Sequence, residues 1–132
     1  MQGKVYVYSL SKDGNTKVSD NFKVKEFKCK DGSDVVLISP ELVTILQKIR
    51  YHYGKAVHIN SGYRTPTYNK KVGGATHSQH CYGMACDIRV NGVKPGDLAD
   101  YIETLMPGWG GIGIYKNFVH VDVRGKKSRW NG

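Results

Sequence analysis

No apolar run in this sequence approaches the ~20 residues that a membrane-spanning helix needs, and hydrophobic residues make up an ordinary 39% of its 132 positions. A helical membrane span is thereby excluded. The start, Met1-Gln2-Gly3-Lys4 running into Val5-Tyr6-Val7-Tyr8, also lacks the charged segment, apolar stretch and small-residue cleavage site of an export signal. The chain as given is therefore expected to be made in the cytoplasm. Cysteine is scarce: Cys29, Cys81 and Cys86 are odd in number, with no repeated C-x-x-C spacing. That argues against both a disulfide framework and a closed four-cysteine zinc site. The three are expected to be reduced, with Cys86 as small buried filler in a strand. Repeats, low-complexity segments and linkers are absent, and the length suits one compact core, so residues 1–132 are expected to form one domain and a monomer.

Negative charge is the other shortage. Eleven Asp and Glu face twenty Lys and Arg, for a net charge of +9. A polyanionic partner follows, either nucleic acid or an acidic envelope polymer. The stacking aromatics and basic runs of nucleic-acid modules are missing, since Lys126-Lys127 with Arg124 and Arg129 make only a short cluster, and this disfavours nucleic acid.

Residues 1–21 are polar and turn-rich and read as an edge hairpin about Lys12-Asp13-Gly14-Asn15. Ser39-Pro40-Glu41 predicts a capped helix start, followed by Leu42, Ile45, Leu46, Ile49 and Tyr53 at helical spacing and a stop at Gly54. Val57–Asn60 predicts a short strand, and Thr65-Pro66 a short helix ending at Gly73-Gly74. Ala85–Val90 predicts a strand, Lys94–Met106 a helix, and Gly111–Tyr115 with Phe118–Arg124 a hairpin across Lys116-Asn117. The pattern is α+β, a small mainly antiparallel sheet with packed helices.

The chemistry concentrates in two places. Residues 78–87 place His80 and Asp87 either side of Gly83, and Phe118–Asp122 carries His120. Two imidazoles and a carboxylate can hold zinc with an open fourth position, the arrangement hydrolases use. On pattern alone, His80 and Asp87 read equally well as a hydrogen-bonded pair without metal. Strand alternation puts Val119, Val121 and Val123 on one face and Phe118, His120, Asp122 and Arg124 on the other, so the polar set is expected to face a site.

Ser61-Gly62-Tyr63-Arg64, Asn69, Val72-Gly73-Gly74-Ala75, Ser78-x-His80-x-x-Gly83-x-Ala85-x-Asp87-Ile88, Gly110-Gly111-Ile112-Gly113 and Phe118-Val119-His120-Val121-Asp122 closely resemble the zinc D-alanyl-D-alanine carboxypeptidases and dipeptidases of peptidoglycan. The fold of that family is shared with the hedgehog signalling domain. The resemblance implies zinc held by His80, Asp87 and His120. It makes Arg64 a catalytic and substrate-binding residue, because a guanidinium fork grips a carboxylate or orients the scissile carbonyl; the alternative for Arg64 is a structural ion pair. Ser78 is expected to hold the loop or the substrate. The family's usual acid, three residues before the last His ligand, is here Asn117, and the alternative helper two residues before it is Phe118. Asp122 is the nearest replacement as general base; otherwise it supports His120 or pairs with Arg124. His77 is expected in an exposed loop, and His52 and His58 as structural.

The resemblance thus implies hydrolysis of peptidoglycan stem peptides by a carboxypeptidase or related endopeptidase, with anionic wall polymers as further partners. It also implies action at the bacterial cell wall, as in a phage or prophage endolysin. A non-catalytic wall-binding module with a structural zinc is the first alternative, and a basic nucleic-acid binder the second.

Overall fold

The computed structural model describes residues 3–132 and is of mixed α+β architecture with small sheets. Its elements run β1 (Tyr6–Ser9), α1 (Leu10–Asp13), β2 (Lys17–Ser19), β3 (Phe22–Lys23), a 3-10 helix Val24–Phe27, β4 (Val35–Ile38) and α2 (Pro40–Tyr53). There follow β5 (Val57–Ser61), α3 (Pro66–Lys71), a 3-10 helix Gln79–Tyr82, β6 (Ala85–Val90), α4 (Pro95–Leu105), β7 (Gly111–Ile114), β8 (Val119–Asp122) and β9 (Ser128–Asn131).

The main sheet has five strands in the order β5-β6-β8-β7-β9, antiparallel throughout except for the parallel pairing of β7 with β9. Strand β6 is buried at five of its six positions, which accounts for its small and branched side chains Ala85, Cys86, Ile88 and Val90. Against this sheet pack α2, through Leu42, Ile45, Leu46 and Ile49, and α4, through Leu98, Ala99 and Ile102. Ser39 caps α2 by accepting from Leu42 N at 3.3 Å, Pro40 opens it, and Gly54 ends it in the left-handed conformation that favours glycine.

Residues 1–21 depart from the expected hairpin, of which Met1 and Gln2 lie outside the described residues. Instead, β1 pairs with the distant β4, Tyr6 opposite Ile38 and Ser9 opposite Val35, while β2 pairs with β3. The physical reason is Asp34. Its carboxylate accepts from Ser9 Oγ (2.6 Å) and Ser11 N (2.8 Å), and its carbonyl from Leu10 N (2.6 Å), so the turn after β1 winds into α1 and stays tied to β4. No local signal in residues 1–21 announces a partner at position 34.

Candidate metal centre

Three separate elements bring the site together. His80 sits in the 3-10 helix Gln79–Tyr82, whose end at Gly83 takes a left-handed φ of 70°. Any Cβ at Gly83 would strike the Leu37 backbone, so both conformation and space demand glycine there. Asp87 on β6 lies directly opposite His120 on β8. Cross-strand partners present side chains on one face within contact distance, and the register alone thus joins two of the three groups.

His80, Asp87 and His120 are all buried, and their ligand atoms lie within 4.8 Å of one another. His80 Nε2 is 3.2 Å and His120 Nδ1 3.1 Å from Asp87 Oδ1. A tetrahedral zinc with ligands at ~2.0–2.2 Å needs ligand atoms about 3.3–3.6 Å apart, so both imidazole nitrogens already stand near ligand spacing from the Asp87 oxygen. The remaining ring nitrogens support the same reading. His80 Nδ1 donates to the Gly62 carbonyl at 2.8 Å, and His120 Nε2 donates to Asp122 Oδ2 at 2.7 Å. Each imidazole therefore has one nitrogen committed to an orienting acceptor and the other aimed at the common point, the arrangement that metal-ligating histidines show.

The electrostatics are those of a site awaiting a cation. Burial alone would raise the Asp87 pKa, but hydrogen bonds from His120 and His80 outweigh it and hold the carboxyl well below the usual range. Burial likewise opposes charge on His120, yet Asp122 and Asp87 together raise its pKa above the ordinary imidazole value.

Arg64 enters as a neighbour of the ligands. Its Nη2 donates to Asp87 Oδ2 at 3.3 Å, its Nη1 to Asn69 Oδ1 at 3.2 Å and its Nε to Ser61 Oγ at 3.1 Å. It holds Oδ2 of Asp87, while Oδ1 faces the two imidazoles. Ser78 caps the 3-10 helix by accepting from His80 N at 3.3 Å, and it lines the cleft above the ligands. His77 lies in the cleft loop with a φ of 62°, its Nδ1 3.3 Å from Tyr82 Oη. His52 stacks on Tyr101 and His58 sits half-buried on β5, and neither lines the cleft.

Asp122 lies beneath His120 rather than in the cleft, and is fully buried. Its oxygens accept from Gly111 N (3.0 Å), Arg124 N (3.1 Å), Arg124 Nε (2.8 Å) and Arg124 Nη2 (2.7 Å) as well as from His120. Burial alone would raise its pKa, and the His120 and Arg124 bonds more than reverse that, keeping it ionised. Gly111 makes room for this carboxylate, since a Cβ there would collide with it.

The ligands form the floor of a cleft of ≈510 Å³. One wall is the loop 72–79; the other carries Tyr115, Phe118, Arg124 and Trp130. Trp130 reaches this wall because β9 lies parallel to β7 with Trp130 opposite Gly113, and a Cβ on Gly113 would meet the indole. The indole packs 5.0 Å from the His120 ring, and its Nε1 donates to Tyr115 Oη at 3.0 Å. Strand β9 and its tryptophan carry no signal in the sequence pattern, because a four-residue polar strand has no periodicity to detect.

A buried pair of imidazoles and a carboxylate with an open cleft above them defines a metal-dependent hydrolase type of centre. The family model for peptidase M15 matches residues 18–122, which include all three groups, and the chain belongs to that family. The chain is also similar to the zinc D-Ala-D-Ala carboxypeptidase of Streptomyces albus G, with 38% identity over 79 residues. That match covers 53% of this chain and 31% of that protein, so the chain spans less than a third of its relative's length in the matched region. Among the described residues, no helix is long and apolar enough to cross a membrane.

Proposed function

We propose that this protein is a zinc-dependent peptidase acting on peptide bonds of peptidoglycan stem peptides at the bacterial cell wall, as a D-Ala-D-Ala carboxypeptidase or a related endopeptidase. The observation that carries the reading is the His80–Asp87–His120 triad, pre-oriented by Gly62, Arg64 and Asp122 on the floor of an open cleft. Membership of the peptidase M15 family and the likeness to a zinc D-Ala-D-Ala carboxypeptidase support it.

Zinc held by these residues supplies Lewis acidity towards a peptide carbonyl and lowers the pKa of a water towards about 7. The chain's own residues do the positioning. His80 presents Nε2 because Nδ1 is bonded to Gly62, and His120 presents Nδ1 because Nε2 is bonded to Asp122. Arg64 fixes which oxygen of Asp87 faces inward and sits at the cleft edge, where its remaining N–H groups can polarise a substrate carbonyl. Asp122, saturated with donors and out of the cleft, orients His120 in place of acting as the general base.

One observation favours a second reading, a wall-binding module with a structural metal: among the described residues, no acidic side chain except Asp87 lines the cleft. Turnover separates the two. Purified protein should contain one zinc per chain and release shortened muropeptides, detected by mass spectrometry, in a reaction abolished by a chelator and restored by zinc. Bound zinc with intact muropeptides would establish the binding module instead.

A further inference from the structure

We infer that Arg124 is the carboxylate-reading residue of this cleft, binding a negatively charged carboxylate of the peptide substrate through the free edge of its guanidinium. The inference rests on the peptidase reading for the identity of the substrate, and on four features of Arg124 for the role.

Its Nε and Nη2 grip Asp122 in a two-point ion pair at 2.8 and 2.7 Å. Its guanidinium carbon lies 5.5 Å from the centre of the Trp130 ring, within cation–π reach of the indole. Among the described residues Nη1 has no acceptor, and the side chain is 30% exposed at the cleft wall. Arg64, by contrast, has one N–H of each of its three nitrogens engaged, by Ser61, Asn69 and Asp87, so it keeps single N–H groups and no nitrogen wholly free.

An arginine held on one edge by a two-point ion pair and set over an indole has already lost most of its rotamer freedom. A ligand bonding the third edge does not have to order it again, which is the source of affinity in a preorganised site. The charge balance points to an anion. Around the cleft stand two guanidiniums and a site built for a divalent cation, against only the carboxylates of Asp87 and Asp122. The surplus is positive and is focused by a partly buried cleft. Trp130 and Tyr115 line the same cleft and offer apolar contact to the chain that carries the carboxylate. Arg124 and Trp130 both lie beyond residues 18–122, the segment that the family model matches, whereas Tyr115 and Phe118 of the same wall lie within it.

The test uses the zinc-loaded full chain and two synthetic probes: a stem peptide ending in D-Ala-D-Ala with its carboxylates free, and the same peptide with every carboxylate amidated. Calorimetry gives the affinity of each for the wild type, Arg124→Gln and Arg124→Lys, and zinc content is measured in parallel. The wild type should prefer the acidic peptide by about tenfold to a hundredfold, the range of a two-point charged hydrogen bond. Arg124→Gln should bring that preference close to one. Arg124→Lys, which can keep a single ion pair to Asp122, should keep zinc and lose most of the preference. Because the ratio of the two peptides is read within one protein, a general loosening of His120 through Asp122 cancels. A wild-type ratio near one overturns the inference, as does an unchanged ratio in the zinc-loaded lysine variant. Failure to cleave either peptide would instead count against the peptidase reading, while the binding ratio still decides the role of Arg124.

Discussion

At the scale of single residues, each proposed ligand is held by a second group, and the consequences of substitution differ accordingly. His80→Ala and His120→Ala should each abolish stoichiometric zinc, checked by elemental analysis of the purified variants; full zinc content in both would remove them from the ligand set. Asp122→Asn keeps the shape but removes the charge that holds Arg124 and orders the His120 tautomer. It should weaken zinc binding by about 10–100-fold, the usual effect of losing an orienting carboxylate. An Asp122→Asn protein with wild-type zinc affinity but 100-fold slower turnover would return Asp122 to the role of general base. Arg64→Lys should retain zinc and lose most activity, since an ammonium cannot bond Ser61, Asn69 and Asp87 together and still face the substrate. Proton competition adds a pH dependence. The raised His120 pKa stabilises the metal-free fold fully below the ordinary value of about 6.5, and this contribution is lost as pH rises through the raised value. Zinc needs the neutral ring, so its affinity should climb over the same window and flatten above it. Titration of the metal-free protein with zinc from pH 6 to 8.5 measures this, and a flat profile would contradict it.

Among the elements, the β6–β8 pairing and the addition of β9 decide the site. The register that sets Asp87 opposite His120 also sets Ile88 opposite Val119, both fully buried, so slippage by one residue would turn the ligands into the core. Strand β9 contributes no ligand, yet it supplies Trp130 against His120 and Arg124. Its fit depends on a missing side chain at position 113. Gly113→Val should displace the indole and lower the melting temperature, and quenching or a shift of tryptophan fluorescence on zinc addition should be altered in the variant; an unchanged spectrum and stability would show that β9 tolerates a shifted indole. Much of this level was readable beforehand. Helix α2 follows from its Ser-Pro start and Gly stop, and β6 and the β7–β8 hairpin from apolar runs and the Lys116-Asn117 turn. The β1–β4 pairing was not, because two strands some thirty residues apart are joined by Asp34 and by side-chain packing, neither of which leaves a periodic trace.

For the molecule as a whole, metal binding and folding are expected to be linked. The ligands come from the 3-10 helix, β6 and β8, so zinc that binds only the folded chain should stabilise it by about 2.7 kcal/mol when present at 100 times its Kd. A chelator should lower the melting temperature by several degrees, and His80→Ala should be insensitive to it. The surplus of nine positive charges should make association with anionic wall material weaken steeply with salt, which sedimentation of protein with purified walls at increasing ionic strength would show. The sequence by itself singled out His80, Asp87 and His120 as the proposed ligand set, which the fold brings within 4.8 Å of one another. It also determined the α+β alternation, because hydrophobic periodicity is local. Tertiary structure alone decided what each polar residue does with its second partner. Asp122 and Arg124 share one strand face with His120 in the sequence pattern. Only the arrival of Gly111, Gly113 and Trp130 from neighbouring strands buries the first, leaves the second with one open edge and orients the third, and such long-range contacts are set by packing and not by the order of residues along the chain.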